Sequence, residues 1–220
     1  MKTDTRERIV EAACRAFAER GFRGTTIAAI CRAAKANIAA VNYYFGSKIR
    51  LYEAVWEHAV ARADEIYGPD DPGKNPGERL RERIQELVLM IFDEGPGGWF
   101  PRLIRGNVEM GGELAERLRT RFLLPRRRKM QEVIGEILEI DPESFEVRCM
   151  TGHILSMCIF LNIKMNFRRH IFGEEKPSRR DIDLLIRSMQ EFAEGGLNRI
   201  RTILDSGSTA PGSPVGEDTE

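Results

Sequence analysis

Apolar residues recur every three or four positions along most of the chain, and this spacing predicts amphipathic α-helices. The first stripe predicts a helix from about Asp4 to Arg20, in which Asp4 and Glu7 have the spacing of a capping box. Another helix is predicted from Lys48 to about Tyr67. Helix-forming residues dominate throughout, so we predict an all-α fold of about nine helices.

Two shorter helices, joined by a tight turn, are predicted between residues 25 and 48. Thr26 can cap a helix that begins at Ile27, and Asn37 can cap a second helix that ends at Gly46. This is the layout of a helix-turn-helix motif, whose second helix enters the major groove of DNA. The pattern therefore predicts a three-helix DNA-binding domain at the N-terminus.

Charge is distributed unevenly along the chain, although the formal net charge is zero. Residues 1–50 hold ten basic and four acidic side chains, a net charge of +6, so the remainder carries −6. A basic N-terminal part suits contact with phosphates, while the acidic remainder stays off the nucleic acid. Lys48 falls in the first turn of a helix that Ser47 can cap, where free backbone N–H groups also attract a phosphate oxygen.

Residues 6–59 resemble the DNA-binding domain of the TetR family of bacterial repressors. The resemblance rests on Gly21-Phe22 after the first helix, Thr25-Thr26 before the second, and the cluster Tyr43-Tyr44-Phe45 followed at a fixed distance by Lys48. The form VNYYFGSK at residues 41–48 is similar to the subgroup typified by the CecR regulators. Many family members carry tyrosine where this chain has Asn42, which makes Tyr43 the better candidate for that tyrosine's contact.

The resemblance implies that the second helix of the motif reads DNA through Asn37, Ile38, Ala39, Ala40, Asn42 and Tyr43. Asparagine can form hydrogen bonds with base edges, whereas alanine and isoleucine can touch thymine methyl groups. Specificity should therefore depend on methyl contacts and on DNA shape. Phosphate contacts, which set the register and the salt dependence of binding, are implied for Thr25, Thr26, Tyr43 and Lys48. For Tyr44 and Phe45 we expect core packing instead.

A second, larger domain is predicted after a segment rich in glycine and proline, GPDDPGKNPG at residues 68–77. We assign residues 1–48 to the helix-turn-helix domain, 49–204 to a helical ligand-binding and dimerisation domain, and 205–220 to a disordered tail.

Helices of the second domain are predicted at 80–91, 99–109, 113–138 with an interruption or restart at Pro125, 142–172, and from Ser178 onwards. Residues 149–167 are apolar around most of the helix, which indicates a central helix or one shared with a partner chain. Dimerisation through the last two helices follows from this pattern and from the resemblance.

A small-molecule pocket is the second candidate site, because aromatic and flexible apolar side chains with a few polar groups usually line such cavities. The candidates are Phe92, Trp99, Phe100, Leu103, Met110, His153, Met157 and Asn162. Plain core packing explains the same spacing, and for His153 a hydrogen-bonded position in the core is the alternative. The basic run at residues 126–129 is a solvated face, or it contacts an anionic ligand or DNA.

Other chemistry finds little support in the sequence. The three histidines stand at no metal-ligand spacing, and the chain has neither a G-x-S-x-G motif nor a glycine-rich phosphate loop, so we expect no catalytic site, metal or cofactor. The four cysteines lack C-x-x-C spacing and are expected to be buried thiols. Because no apolar segment reaches about 20 residues and the N-terminus lacks a signal-peptide region, a cytoplasmic protein is expected.

We predict a homodimeric repressor whose two reading helices enter successive major grooves of a partly palindromic operator. A small molecule bound in the C-terminal domain would change the separation of these helices and release the DNA. Repression rather than activation comes from the resemblance alone. The alternatives are an all-α enzyme and a helical interaction protein that does not bind DNA.

Overall fold

The computed structural model describes residues 4–68, 71–161, 173 and 177–206. Their α-helices are α1 (Thr5–Gly24), α2 (Ile27–Ala34), α3 (Ile38–Phe45), α4 (Lys48–Tyr67), α5 (Pro76–Phe92), α6 (Trp99–Met110), α7 (Gly112–Leu118), α8 (Leu124–Leu138), α9 (Phe145–Leu161) and α10 (Arg179–Asp205). A 3-10 turn at Pro96–Gly98 precedes α6, and a π-helical turn at Arg119–Leu123 joins α7 to α8. Counted with that turn, α7 and α8 form one continuous helix. The described residues thus contain nine helices and no strand, which confirms the all-α prediction.

Helix starts are fixed by the predicted caps. The capping side chains accept a hydrogen bond from the amide three residues on, at 3.2 Å for Thr26, 2.7 Å for Asn37 and 3.2 Å for Ser47. A capping box between Ser178 and Asp181 opens α10. At α1, Asp4 accepts from the Arg6 amide instead of forming the predicted capping box with Glu7. Each cap satisfies an N–H group that helix geometry leaves unpaired.

Some helix boundaries differ from the predicted ones. α1 ends four residues later than predicted, beyond a break at Gly21, whose φ is 68°. α5 begins at Pro76, inside the predicted linker. α9 begins at Phe145 instead of Pro142, because residues 141–144 close a turn through a 2.9 Å backbone hydrogen bond. The continuation of this helix to about residue 172 and the tail at 205–220 fall largely outside the described residues.

Pro125 lies in the first turn of α8 and does not interrupt the continuous helix formed by α7, the π turn and α8. In an α-helix a proline ring clashes with the carbonyl four residues earlier, which is that of Arg121. Arg121 lies inside the π turn, in which the Leu124 amide donates to the carbonyl of Arg119, five residues back. The wider turn accommodates the proline ring. α7, the π turn and α8 therefore form one continuous helix at 112–138, which we call the α7–α8 rod.

Two hydrophobic cores divide the described residues. We call α1–α4 the head and α5–α10 the body. The first core joins the head to α6, the end of α7 and the π turn, and it contains the fully buried side chains of Phe17, Tyr52 and Trp56. The second core lies between α5, α8, α9 and α10. Because α6 packs on the head, the predicted domain boundary after residue 48 does not coincide with a gap between the cores.

The glycine-rich turn at residues 95–98 lies between the end of α4 and the start of α6 and connects α4 to the body. The Tyr67 hydroxyl donates to Oδ2 of Asp93 at 3.0 Å. At Gly97 an added Cβ atom would lie 2.8 Å from the Tyr67 ring, and at Gly98 it would overlap the backbone carbonyl of Asp93. The Arg102 guanidinium donates to the Gly98 carbonyl at 2.9 Å and closes the turn.

The described part of the chain contains neither a membrane-spanning helix nor a cluster of metal ligands. No helix there is both long and apolar enough to cross a bilayer. Within the same residues, no three histidine, cysteine or acidic side chains are grouped to hold a metal ion. The thiols of Cys14, Cys31 and Cys158 are buried and Cys149 is half-buried, all four without a disulfide.

His58 lies half-buried at the junction of α1, α4 and α6. Its ring is 6.0 Å from that of Trp99, and its Nε2 atom has no hydrogen-bond partner among the described residues. Burial lowers the pKa of His58 below its ordinary value of 6.5, against the opposing influence of Glu11. Glu7 of α1 opposes the shift as well, whereas Arg62 and Arg6 favour it.

We expect the protein to lose stability as the pH falls through about 6.5, because the unfolded chain then binds a proton that folded His58 resists. A His58→Gln variant should lose less stability over that range. Urea unfolding of both proteins between about pH 7.5 and pH 5.5 measures the difference. Identical slopes of unfolding free energy against pH would show that His58 titrates alike in both states.

Candidate nucleic-acid interface

α3, the candidate reading helix, is anchored by two side chains and presents the others outward. Val41 and Phe45 are buried in the first core at 1% and 6% exposure. Because they stand four residues apart, they share one face of the helix and turn the opposite face to solvent. That outward face carries the predicted reading residues.

Five of the six predicted reading residues are exposed. Ile38 is 53% and Tyr43 84% exposed, a large apolar and aromatic surface for so short a helix. Asn37, Ala39 and Asn42 are also exposed, whereas Ala40 is half-buried and packs against the first core. The outward surface therefore offers two amides, small apolar groups and one tyrosine.

The two asparagines differ in what they can still bind. Oδ1 of Asn37 already accepts the Ala40 amide, so its NH2 group is left to donate. Asn42 has both its donor and its acceptor available on the exposed face. Amide donors suit the N7 and O6 acceptors of purines, and a complete amide can bind adenine in two places.

Thr25 has a structural role that the sequence did not indicate. Its side chain is 1% exposed, and its hydroxyl lies 3.0 Å from the Ala16 carbonyl and 2.9 Å from that of Gly21, to which it donates. We therefore correct the expectation of a phosphate contact by this hydroxyl, since it fastens α2 to α1. Thr26 next to it is exposed, and its hydroxyl hydrogen stays free to donate while its oxygen caps α2.

The aromatic cluster that ends α3 is only partly core. Phe45 is buried as expected, but Tyr44 is 38% exposed, so the prediction of core packing was wrong for Tyr44. The Tyr43 ring meets the edge of Tyr44 at 5.1 Å and an interplanar angle of 79°. Tyr43 itself is 84% exposed, so this ring contact leaves most of its side chain accessible.

Two cations beside α3 rest on aromatic rings. The Lys48 ammonium lies 4.5 Å from the centroid of the Phe22 ring, and the Arg6 guanidinium lies 5.4 Å from that of Phe45. Partial burial lowers the pKa of Lys48 below its ordinary value. In the first turn of α4, helix geometry also leaves the amides of Lys48 and Ile49 without intrahelical acceptors. The cation and the amides belong to the same corner of the head, next to the reading helix, and both suit an anion.

The predicted pocket residues do not come together around one cavity within the described part of the chain. Trp99, Phe100 and Leu103 are buried in the first core, while Phe92 and Met157 lie at the edge of the second. His153 is exposed, so the alternative of a core histidine is wrong. The side chain of Met110 and all of Asn162 lie outside the described residues.

A row of ion pairs between α4 and the α7–α8 rod was not foreseen. Arg117 pairs with Glu53 at 3.1 Å, Arg121 with Glu57 at 2.6 Å, and Arg126 with Asp64. On an uninterrupted α-helix, residues 121 and 126 would point about 140° apart. The π turn between them restores a common face. Arg126, from the basic run at 126–129, thus serves an internal contact and also covers the Phe100 ring.

Family matches cover most of the chain. Residues 9–55 match the bacterial regulatory proteins of the tetR family. Residues 76–197, more than half of the 220 residues, match the C-terminal domain of the HTH-type transcriptional dual regulator CecR. Both parts of the predicted resemblance are thereby confirmed.

Similar sequences belong to transcriptional regulators. The HTH-type transcriptional repressor NicS of Pseudomonas putida is 44% identical over 94 residues, 40% of this chain and 41% of NicS. The HTH-type transcriptional regulator AcrR of Shigella flexneri is 27% identical over 115 residues, 51% of this chain and 53% of AcrR. The chain spans between 41% and 66% of the length of the first curated relatives that it matches.

Solved structures share the fold. A TetR-like transcriptional regulator from Rhodococcus sp. RHA1 superposes with a TM-score of 0.65 at 19% identity, covering 90% of this chain and 98% of that one. AibR, solved in complex with isovaleryl coenzyme A and operator DNA, gives a TM-score of 0.65 at 16% identity and covers 86% of this chain and 97% of its own. These likenesses establish the architecture of a helix-turn-helix domain followed by a helical domain.

Proposed function

Because the chain belongs to the TetR family of bacterial regulatory proteins, with a C-terminal domain of the CecR type, we propose that it is a homodimeric, ligand-responsive transcriptional repressor. Its reading helix enters the major groove of an operator, and a small molecule bound in the body releases the DNA. The relatives named above are transcriptional regulators, so a regulatory role is proposed in preference to a catalytic one.

The observation that carries the DNA-binding proposal is the outward face of α3 with its flanking cations. Asn37, Asn42 and Tyr43 are exposed on an α-helix, whose diameter of about 10–12 Å fits a major groove about 12 Å wide. Thr26 and Lys48 begin the helices on either side, with donors that suit phosphate oxygens. Base contacts and backbone contacts therefore fall on one surface of the head.

Exposed apolar side chains on the last two helices support the proposed homodimer. Four large ones are between 45% and 69% exposed: Phe145 and Phe160 on α9, and Leu184 and Phe192 on α10. Gly152 and Gly195 on the same helices have open space beside them, so another chain can approach closely. Apolar surface of this kind marks protein contacts, and symmetric pairing of two copies is the commonest solution.

Ligand response is proposed from the way the body meets the head. α6 belongs to the body, yet its Trp99 and Phe100 lie in the first core, and three ion pairs tie α4 to the α7–α8 rod. A ligand that displaces α6 or this rod therefore also displaces α4, whose first turn borders α3. AibR, of the same fold, was solved with an acyl coenzyme A and operator DNA, and NicS is a repressor. Half-buried Phe92 and Met157 remain our candidates for ligand contact.

The test is selection of a binding duplex from a random DNA library, followed by mobility-shift titration of that duplex and a shuffled control. We expect enrichment of a partly palindromic site with half-sites one helical turn apart. Tyr43→Ala and Lys48→Ala should each weaken binding by about tenfold. Lys48→Ala should also reduce the slope of log affinity against log salt by about one.

Arg119→Ala removes an exposed cation of the body outside the basic run at residues 126–129 and is the matched control. It should leave both the affinity and the salt slope unchanged. Failure of the wild-type protein to enrich any duplex, or equal retardation of all four proteins, would refute the proposed function.

A further inference from the structure

Lys48 and Phe22 are 26 residues apart in the sequence of the head and meet at its surface. Phe22 follows the break at Gly21 near the end of α1, and Lys48 opens α4. The ammonium lies 4.5 Å from the ring centroid, within the range of a cation–π contact. No carboxylate in the described part of the chain pairs with this lysine. Its charge is therefore held by a ring that does not neutralise it.

The Phe22 ring is itself held in place. It stacks on Phe17 at 6.0 Å with an interplanar angle of 19° and meets Tyr52 at 4.9 Å. Phe17 and Tyr52 are fully buried, and Tyr52 stands one helical turn after Lys48 on α4. The ring thus has a fixed position relative to the first turn of α4.

A lysine side chain ordinarily loses rotational freedom about several bonds when it binds a phosphate. This loss of conformational entropy opposes binding. A ring below the ammonium removes part of that loss before the DNA arrives. The Lys48 and Ile49 amides, in the same first turn of α4, have no intrahelical acceptor and also suit a phosphate oxygen. A carboxylate could hold the lysine equally well, but it would cancel the charge that the phosphate needs.

We propose that Phe22 is a positioning residue for DNA binding: its ring holds the Lys48 ammonium at the first turn of α4, ready to contact a backbone phosphate. The proposal rests on the proposed function, since it assumes that this corner meets DNA. Phe22 itself touches no nucleotide. Its effect on affinity should therefore pass entirely through Lys48.

The alternative is that Phe22 only fills space in the first core. Loss of the ring would then lower the stability of the head, and any loss of affinity would be the same with or without Lys48. A double-mutant cycle separates the two roles, because only the positioning role makes the effects of the two substitutions dependent on each other.

The experiment measures binding of the selected duplex, by fluorescence anisotropy at constant salt, to the wild-type protein, Phe22→Leu, Phe22→Tyr, Lys48→Ala and Phe22→Leu/Lys48→Ala. Phe22→Leu should weaken binding by about two- to fivefold, and Phe22→Tyr, which keeps a ring, should bind like the wild type. In the Lys48→Ala background, Phe22→Leu should change the affinity less than 1.5-fold, roughly the error of such a titration. Thermal unfolding of each protein shows whether the head is intact.

Equal losses on replacing Phe22 by leucine with and without Lys48 would overturn the proposal and leave Phe22 as a core residue. So would wild-type affinity of Phe22→Leu. If the wild-type protein selects no duplex at all, the proposed function has failed instead, so the two failures are distinguishable.

Discussion

Replacing Leu184 and Phe192 together by arginine is expected to convert the proposed dimer into monomers and to lower operator affinity at least a hundredfold. Both side chains are exposed on the single chain, at 64% and 69%, so two arginines there cost little when the chain folds. In the dimer they would place charges in an apolar contact. A monomer holds only one reading helix, and the gain of about 10²- to 10⁴-fold that linked binding sites provide is lost.

Analytical ultracentrifugation of the double variant measures the first effect, and anisotropy with the selected duplex measures the second. Leu124→Arg is the matched control, since Leu124 is a leucine 45% exposed at the first position of α8, outside the two helices proposed to form the dimer. It should remain dimeric and bind DNA normally. A double variant that still sediments as a dimer would place the interface elsewhere on the surface.

Gly98→Ala is expected to lower the free energy of unfolding by about 3 kcal/mol or more. The backbone at Gly98 has φ −86° and ψ 0°, which alanine adopts without strain, so the cost is steric alone. Its Cβ atom would overlap the carbonyl of Asp93, a backbone atom that cannot rotate away. The turn must therefore open, and the contacts of Tyr67 and Arg102 that depend on it weaken.

Gly106→Ala in the following helix is the control for this prediction. Its added Cβ would meet only the Cα atom of Gly21, at an ordinary contact distance of 3.7 Å. An alanine inside a helix gains up to about 1 kcal/mol over glycine, so Gly106→Ala should be neutral or stabilising. Urea unfolding at one protein concentration compares both with the wild type. Similar stabilities of the two variants would show that the Asp93 carbonyl is not in the way.

Features set by neighbouring residues could be predicted from the sequence. The caps Thr26, Asn37, Ser47 and Ser178 depend on bonds that span three residues, and all four were located correctly. Local geometry determines these caps, so tertiary packing had little scope to change them. The outward residues of α3 came from the family resemblance instead, and of the two residues expected in the core only Phe45 is buried.

Features set by packing between distant segments could not be predicted. Thr25 turns inward because the carbonyls of Ala16 and Gly21 lie within reach of its hydroxyl. The buried residues of α6 were expected around a ligand. The spacing of apolar residues predicts that a side chain is buried, but it does not predict in which of the two cores. The ion pairs of α4 had a partial signal, since Glu53 and Glu57 are one turn apart on the same helix. Their arginine partners reach them because of the π turn, and no residue pattern in the sequence predicted that turn.

The π turn makes the length of the chain critical at this place. Each residue of an α-helix advances the direction of the next side chain by about 100°. Removing one residue between positions 119 and 123 would therefore rotate all of α8 by that angle relative to α7. Val133 and Ile134 would leave the second core while Phe122 stayed in the first. The fold can tolerate substitutions in this segment. An insertion or a deletion of a single residue, however, would turn the buried face of α8 away from the second core while α7 stays in the first.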